Sequence, residues 1–314
     1  MDSRVDIKGN LHAEIKSLLN RYLSTIEQNS NPGNQNIEES VHNIRRTIKK
    51  IRALLLLIRD EIGYSSYLRE SGFYRDIGRQ LSECRNLDVF CKVAMDLDQQ
   101  FILDLKYSCL QHLIPKIKNQ KEASLNQLVR PGGFFSEINQ KLAIARSNIE
   151  NARIQGDSFV VLMKGLKNSY KKSRKALAVC LDDPTKNNAH KLRKALKSMW
   201  YQIRIFKPVY PLICKAYAKS LRSTTETLGE LNDYAEFRTY LGNSIARGLN
   251  RNNRAILNVM LDDLQNHKLD AALPEIQLAL TETPSQFIKR MGGYWNVVHN
   301  NHHIMFTQEK AVKT

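Results

Sequence analysis

The sequence predicts an all-α fold. Three observations carry that expectation. Apolar residues recur at three- and four-residue spacing along nearly the whole chain, as one face of a helix requires. No stretch alternates apolar and polar residues between turn signals, as a half-buried strand would. The breaks fall at Pro, Gly and capping residues, where helices end.

Taken in order, Leu11, Ile15, Leu18, Leu19, Tyr22, Leu23 and Ile26 mark a first amphipathic helix, and 29–35, with Pro32 and Gly33, a loop. Asn36, with Glu39 three residues on, resembles a capping box that starts a second helix. That helix reads VHNIRRTIKKIRALLLLI over residues 41–58. At about 100° per residue, Val41, Ile44, Ile48, Ile51, Leu55 and Ile58 gather on one side. His42, Arg45, Arg46, Lys49, Lys50 and Arg52 cover much of the other, with no acid between Val41 and Arg59. A solvated face usually mixes signs, because like charges one turn apart repel. This helix is expected to be buried on one side and to meet an anion on the other.

Gly63 to Ser66 should break it. A third helix from about Tyr67 carries Leu68, Ile77, Leu81 and Val89, with Arg75, Arg79 and Arg85 between them. Residues 88–118 continue as helix, with Phe101, Leu105 and Leu113 inside. Pro131-Gly132-Gly133 reads as a turn, and residues 136–155 as a helix ending at Gly156. Asp157 looks like the cap of the next helix, whose stripe is Phe159, Leu162, Leu166, Tyr170 and Leu177. Asp183-Pro184 reads as a cap followed by Pro at the first position of a helix running to Phe206. Residues 213–248 and 255–280 are helical, with an interruption near 269–274, and Pro284 opens a last helix to about Trp295.

The chain has 314 residues, more than one core usually spans, so two subdomains are expected, 1–156 and 157–314. A hydrophobic fraction of 42% with 25% charge describes a globular protein, and a net charge of +17 calls for a polyanionic partner. Cys84, Cys91, Cys109, Cys180 and Cys214 form no CxxC pair and read as reduced thiols of a cytoplasmic protein. The start, MDSRVDIKGN, lacks the apolar core of a signal peptide, and the longest apolar run, Ala53 to Ile58, is too short to span a bilayer. No membrane association and no metal site are expected. His299, His302 and His303 lack companion Cys or carboxylates.

The basic helix occurs twice. With His42 set on His190, Arg45 meets Arg193, Arg46 meets Lys194, Ile48 meets Leu196 and Lys49 meets Lys197. A second block follows in each half: LSECRNLDVF (81–90) corresponds to LGELNDYAEF (228–237), and Arg75 to Arg222 in the same register. Two blocks repeating together predict two homologous four-helix bundles about a pseudo-two-fold, with the basic helices facing a shared groove.

These residues resemble the CHAD family, the conserved-histidine α-helical domain. Its halves open with His-x-x-Arg and clustered basic residues, followed by a Leu-Gly-x-x-Arg-Asp or Leu-Gly-x-x-Asn-Asp block. In the first half His42, Arg45, Lys49, Lys50 and Arg52 match, then Arg75, Arg79 and Arg85. In the second, His190, Arg193, Lys197, Tyr201, Arg222, Asn232 and Asp233 match. Ser198 and Trp200 stand where the family has basic residues, and Asn86 replaces the Asp after Arg85. The second half is therefore expected to grip an anion less strongly. The resemblance implies binding of inorganic polyphosphate, without cofactor or catalysis, in a basic central cavity. The expected binding residues are the His, Lys and Arg residues above together with Arg46, Lys194, Arg204, Lys215 and Lys219. Association with polyphosphate granules is a further expectation, while the oligomeric state stays open.

Such a polymer carries about one charge per phosphate. Cations at 42, 45, 49 and 52, rising about 1.5 Å per residue, suit it better than a single pocket. Arg offers bidentate contact with phosphate and Lys a point charge that tolerates sliding. Three other readings stay open. A phosphate-processing enzyme would need metal-holding carboxylates or an activated nucleophile. The run from Pro184 to Thr225 has no acid, and Glu83 and Glu230 are the repeated carboxylates. A nucleic-acid binder would want aromatics interleaved with the cations. A scaffold that docks a partner protein on polyphosphate granules is the third.

Overall fold

The computed structural model describes residues 10–30, 36–154, 159–242 and 250–311, the last of these without side chains beyond residue 298. Among them there are helices and no strands. The elements are α1 (Leu11–Asn29), α2 (Ile37–Leu57), the single turn α3 (Arg59–Ile62), α4 (Tyr64–Gln80), α5 (Ser82–Leu105), α6 (Leu113–Val129), α7 (Phe134–Asn151), α8 (Phe159–Asp182), α9 (Lys186–Ile205), α10 (Pro211–Gly242), α11 (Arg251–Ala279) and α12 (Pro284–Ala311).

α2 is the pivot. Its apolar face, Val41, Ile44, Ile48, Ile51, Leu55 and Ile58, is buried as the spacing predicts. It packs on α1 and α4 on one side and on α8 and α9 on the other. Fully buried Gln202 of α9 donates to the Ala53 carbonyl of α2 at 3.0 Å, which ties the two basic helices together. At the foot of α2 the fit to α8 is closer still. A methyl group on Gly165 would lie 1.8 Å from the Leu57 carbonyl oxygen. α10, the longest helix, packs along α9 and α11 and touches α5. One large core joins α1, α2, α4 and α7 to α8–α12, and a second forms between α5, α6, α10 and α11. Both cores draw on both halves of the chain.

Several boundaries differ from the sequence reading. The span 88–118 is not one helix. α5 ends at Lys106, in the left-handed region at φ 62°, and Asp98 accepts bonds from the Cys109 and Leu110 N–H groups and the Ser108 hydroxyl. A folded connection therefore replaces a helical turn, with neither Pro nor Gly to announce it. Leu81 lies between α4 and α5, and Leu68 is half exposed. The interruption expected near 269–274 is absent. Pro274 sits inside α11 on its exposed side, where water can meet a lost helical hydrogen bond. α9 starts two residues later than expected, because the Thr185 hydroxyl, not Asp183, accepts from the Asn188 N–H. α4 starts at Tyr64 after Gly63, at φ 78°. α7 ends at Asn151, and α12 continues to Ala311.

Asn36 caps α2, accepting from Glu38 N–H at 2.9 Å, and Gly132, at φ 74°, makes the predicted turn. The loop beyond Ser30, Gly156, the Asp157 cap, the end of the 213–248 helix past residue 242, and the side chains of Leu105, His299, His302 and His303 lie outside the described residues. No described helix is long and apolar enough to cross a membrane.

Candidate functional site

The apolar faces of α2 and α9 point into the core, so their basic faces turn the other way, toward α5 and α10. Between these four helices lies a cavity of about 1020 Å³. Among the described residues its lining holds eleven Lys or Arg, two His and four acids. α2 contributes His42, Arg45, Arg46 and Lys49, and α5 contributes Arg85. α9 adds His190, Arg193, Lys197 and Arg204; Lys207 follows it, and α10 presents Lys215, Lys219 and Arg222. Twelve of the residues singled out in the sequence thus share one space. The repeat brings His42 and His190, far apart in sequence, to the same cavity.

Five of them do not line it, and the reason is which helix covers each position. Arg52 projects from the same face of α2 as Arg45, but about 10 Å further along the axis. There α4 covers the helix, and Arg52 donates to the Ser71 hydroxyl at 3.4 Å. Arg75 and Arg79 stand on the exposed face of α4, both paired with Asp76. Lys50 turns toward α1, is 4% exposed, and lies 5.5 Å from the Tyr22 ring centre. Burial, then Arg46 and Arg204, push its pKa down to about 8. Lys194 is rotated about 100° from Arg193 around α9 and faces outward.

Each half anchors its arginine differently at the same repeat position. Arg45 donates to the Gly78 carbonyl and to the Ser82 hydroxyl, both at 2.7 Å. Its counterpart Arg193 lies over Gly229, where an added Cβ would come within 3.3 Å of Nε and of one terminal nitrogen. Gly229 is the counterpart of Ser82, so the second half provides room where the first provides an acceptor. The Nε of Arg193 is consequently buried with no hydrogen-bond partner among the described residues. Arg85, whose pairing the loss of the following Asp put in question, instead pairs with Asp88 one turn on. Lys121 of α6 holds the same carboxylate at 3.3 Å and Glu38 of α2 at 2.8 Å. Burial would raise the Asp88 pKa, but Arg85, Lys92 and Lys121 outweigh it and hold the group ionised.

His190 Nδ1 faces the Asn232 side-chain oxygen, and the Asn232 amide donates to Glu236 at 2.9 Å. That arrangement places a proton on Nδ1 and leaves Nε2 unassigned by the protein. For His42, desolvation, then Arg85, Arg46 and Lys49, lowers the pKa.

At the centre stands Lys49. Its side chain is open to the cavity, yet walls on every side thin the surrounding water. That desolvation, followed by Arg45, Arg193, Lys197 and Arg85, pushes its pKa down to about 7. Lys197 falls to about 8, through desolvation and Arg193, with Glu226 opposing. Clustered like charges of this kind are unfavourable in an empty site and become favourable when an anion enters.

Trp200 is no gap in the basic lining. Lys197 Nζ lies 4.2 Å from its ring centre and the Arg204 guanidinium 5.3 Å, which orients two cations on one aromatic ring. The second half also supplies seven of the eleven Lys or Arg of the lining among the described residues. The four lining acids are all engaged: Glu226 with Arg222, Glu230 with Lys268, Glu236 with Asn232, and Asp233 with Asn232 and the nearby Arg193 and Arg85. The run Lys164 to Lys175 lies on α8, away from this lining. Lys164 reaches Asp60 at 3.7 Å and Arg174 donates to the Glu282 carbonyl at 2.7 Å. Sequence reasoning missed Lys207, Gly229 and Glu236, none of which stands out without the packing of α9 on α10. It named Trp200 only as a departure and missed that it orients Lys197 and Arg204.

A family model described as the CHAD domain matches residues 17–242. Among solved structures, the chain is similar to the CHAD domain from the plant Ricinus communis, at 20% identity and a TM-score of 0.61, over 90% of this chain and 93% of that one. It is also similar to PptA from Streptomyces chartreusis, at 14% identity and a TM-score of 0.63, over 87% of this chain and all of that one. No protein of curated function matches.

Proposed function

The chain belongs to the CHAD domain family, and from that premise we propose that it binds inorganic polyphosphate, without catalysis, in the cavity between α2, α5, α9 and α10. One observation carries the reading. The lining concentrates eleven Lys or Arg around a space of about 1020 Å³, and the charged groups that act most strongly on Lys49 are all cations. A lone folded chain gains nothing from such crowding. A polyanion threaded through the space neutralises it along a length that many phosphates share. Arg45, held by Gly78 and Ser82, and Arg193 offer guanidinium groups for bidentate contact, while Lys215 and Lys219 are exposed point charges that let the polymer slide.

The two halves of the repeat then act as two grips on one chain, related by a pseudo-two-fold. Contact between Phe90 and Phe237, at matching positions of the repeat, supports that relation. Calorimetry with long-chain polyphosphate tests the function. Affinity should fall steeply with salt, since released counterions drive binding to polyphosphates as they do to nucleic acids. Lys49→Glu and Arg193→Glu should each abolish binding while Arg52→Glu, outside the cavity, leaves most of it. Equal losses at all three positions would point to a diffuse surface effect, and salt-independent affinity would remove the electrostatic basis.

A further inference from the structure

We propose that the Lys49 amine is a modification site for acyl phosphates, small acyl donors whose phosphate the surrounding guanidinium groups would hold against it. The proposal rests on the cavity being an anion site. It adds that one amine inside that site is a nucleophile.

The geometry singles out Lys49 from the other lysines. It lines the cavity from the middle of α2, and no carboxylate pairs with its Nζ among the described residues. Its charged neighbours are Arg45 of its own helix, Arg85 of α5, and Arg193 and Lys197 of α9. Arg193 lines the same cavity, and its buried Nε has no hydrogen-bond partner among the described residues. Lys197 is the rival amine, but its Nζ is held over Trp200 and faces Glu226. Lys121 is tied to Glu38 and Asp88, Lys141 to Glu137, and Lys268 to Glu230. Near neutral pH much of Lys49 is the free amine, since its pKa is pushed down to about 7, while an ordinary lysine is almost wholly ammonium. Desolvation beside other cations is a general route to a nucleophilic lysine.

The step balances without a further reactant. The Nζ lone pair attacks the acyl carbon, and the bond from that carbon to the phosphate oxygen breaks. Phosphate leaves with the bonding pair and takes up the proton lost by the amine, so the products are an amide and hydrogen phosphate. The amide carries no charge. Acylation would thus remove the central cation and weaken the hold on a polyanion, coupling the site to the supply of acyl phosphates.

The test uses the full chain and acetyl phosphate near neutral pH, with acetylated lysines mapped by peptide mass spectrometry. The acetyl ester of N-hydroxysuccinimide, which carries no phosphate, serves as the comparison reagent. Lys49 should react on the order of tenfold faster than exposed Lys215 with acetyl phosphate, and pyrophosphate should suppress that preference. Arg193→Ala should reduce it as well. If Lys49 reacts no faster than Lys215, or if both reagents give one pattern, the proposal is overturned. Polyphosphate binding by the unmodified chain is measured in parallel. Binding without the Lys49 preference sinks this proposal alone, and the preference without binding sinks the polyphosphate reading alone.

Discussion

Phe90 of α5 and Phe237 of α10 meet with ring centres 5.9 Å apart. They are the last residues of LSECRNLDVF and LGELNDYAEF, so each touches its own counterpart in the repeat. Tyr240 completes the cluster, with its ring centre 4.8 Å from that of Phe90. A local pseudo-two-fold relating the two copies, as proposed above, would bring equivalent residues together in this way. The floor of the cavity lies beside this contact, one turn from Arg85 and Asp233.

Removing either ring should therefore loosen both halves. Phe237 is wholly buried and Phe90 nearly so, which places each alanine substitution in the range of about 3–5 kcal/mol. The rings share a contact, so the losses should not add. A double-mutant cycle read by denaturant unfolding should return a coupling of roughly 1 kcal/mol. Strict additivity would mean the two rings pack independently.

Gly229 gives a sharper test of the site. In mid-helix, Gly→Ala normally stabilises by roughly 0.5–1 kcal/mol. Here the new methyl would crowd the Arg193 guanidinium at 3.3 Å, the mobile end of a side chain that can yield. Gly229→Ala should thus leave thermal stability unchanged or slightly raised, while displacing Arg193 and weakening polyphosphate binding on the order of 1 kcal/mol. Gly229→Ser should behave like Ser82, accepting from Arg193 and restoring part of the affinity. A variant that loses stability and keeps affinity would contradict this account.

Gly165 tests the fold and not the site. A methyl there would sit 1.8 Å from a backbone oxygen of α2, which cannot swing aside like a side chain. α8 and the foot of α2 would have to separate, so Gly165→Ala should cost about 3 kcal/mol or more, the upper range of overpacking. Thermal unfolding reads it directly, and a neutral outcome would mean that this interface is plastic.

What could be read from the sequence was whatever depends on period alone. The buried stripe of α2, its cap at Asn36, the turn at Gly132 and the repeat of the basic helix all follow from residues within one helix or one alignment. What a cation faces is set by neighbouring helices. Arg45 and Arg52 share a face of α2, yet the junction of α4 with α5 meets Arg45 at the cavity's edge, while Ser71 in the body of α4 meets Arg52 outside it. Lys50 looked like part of the anion face, and α1 covers it instead. Asp98 closes the connection after α5 by accepting from backbone donors, which no propensity scale records. Pro274 misled for the opposite reason: an exposed helix side tolerates what a buried one would not.

The crowding around Lys49 fixes how binding should depend on pH. In the free chain its pKa is lowered to about 7, so the ammonium form predominates only below that value. An anion beside it favours the charged form and raises the pKa. Between the free and bound values each binding event must therefore take up a proton, and affinity falls as pH rises, by at most tenfold per unit for one group. Below the free value the amine is already charged and the slope from this residue vanishes. Lys197, lowered to about 8, adds a second step at higher pH. Calorimetry in buffers of different ionisation enthalpy counts the protons. Lys49→Arg should keep the charge and remove the lower step, because a guanidinium stays protonated throughout this range. If uptake near neutral pH persists unchanged in that variant, the titrating group is not Lys49, and the phosphate's own ionisation or His42 must account for it.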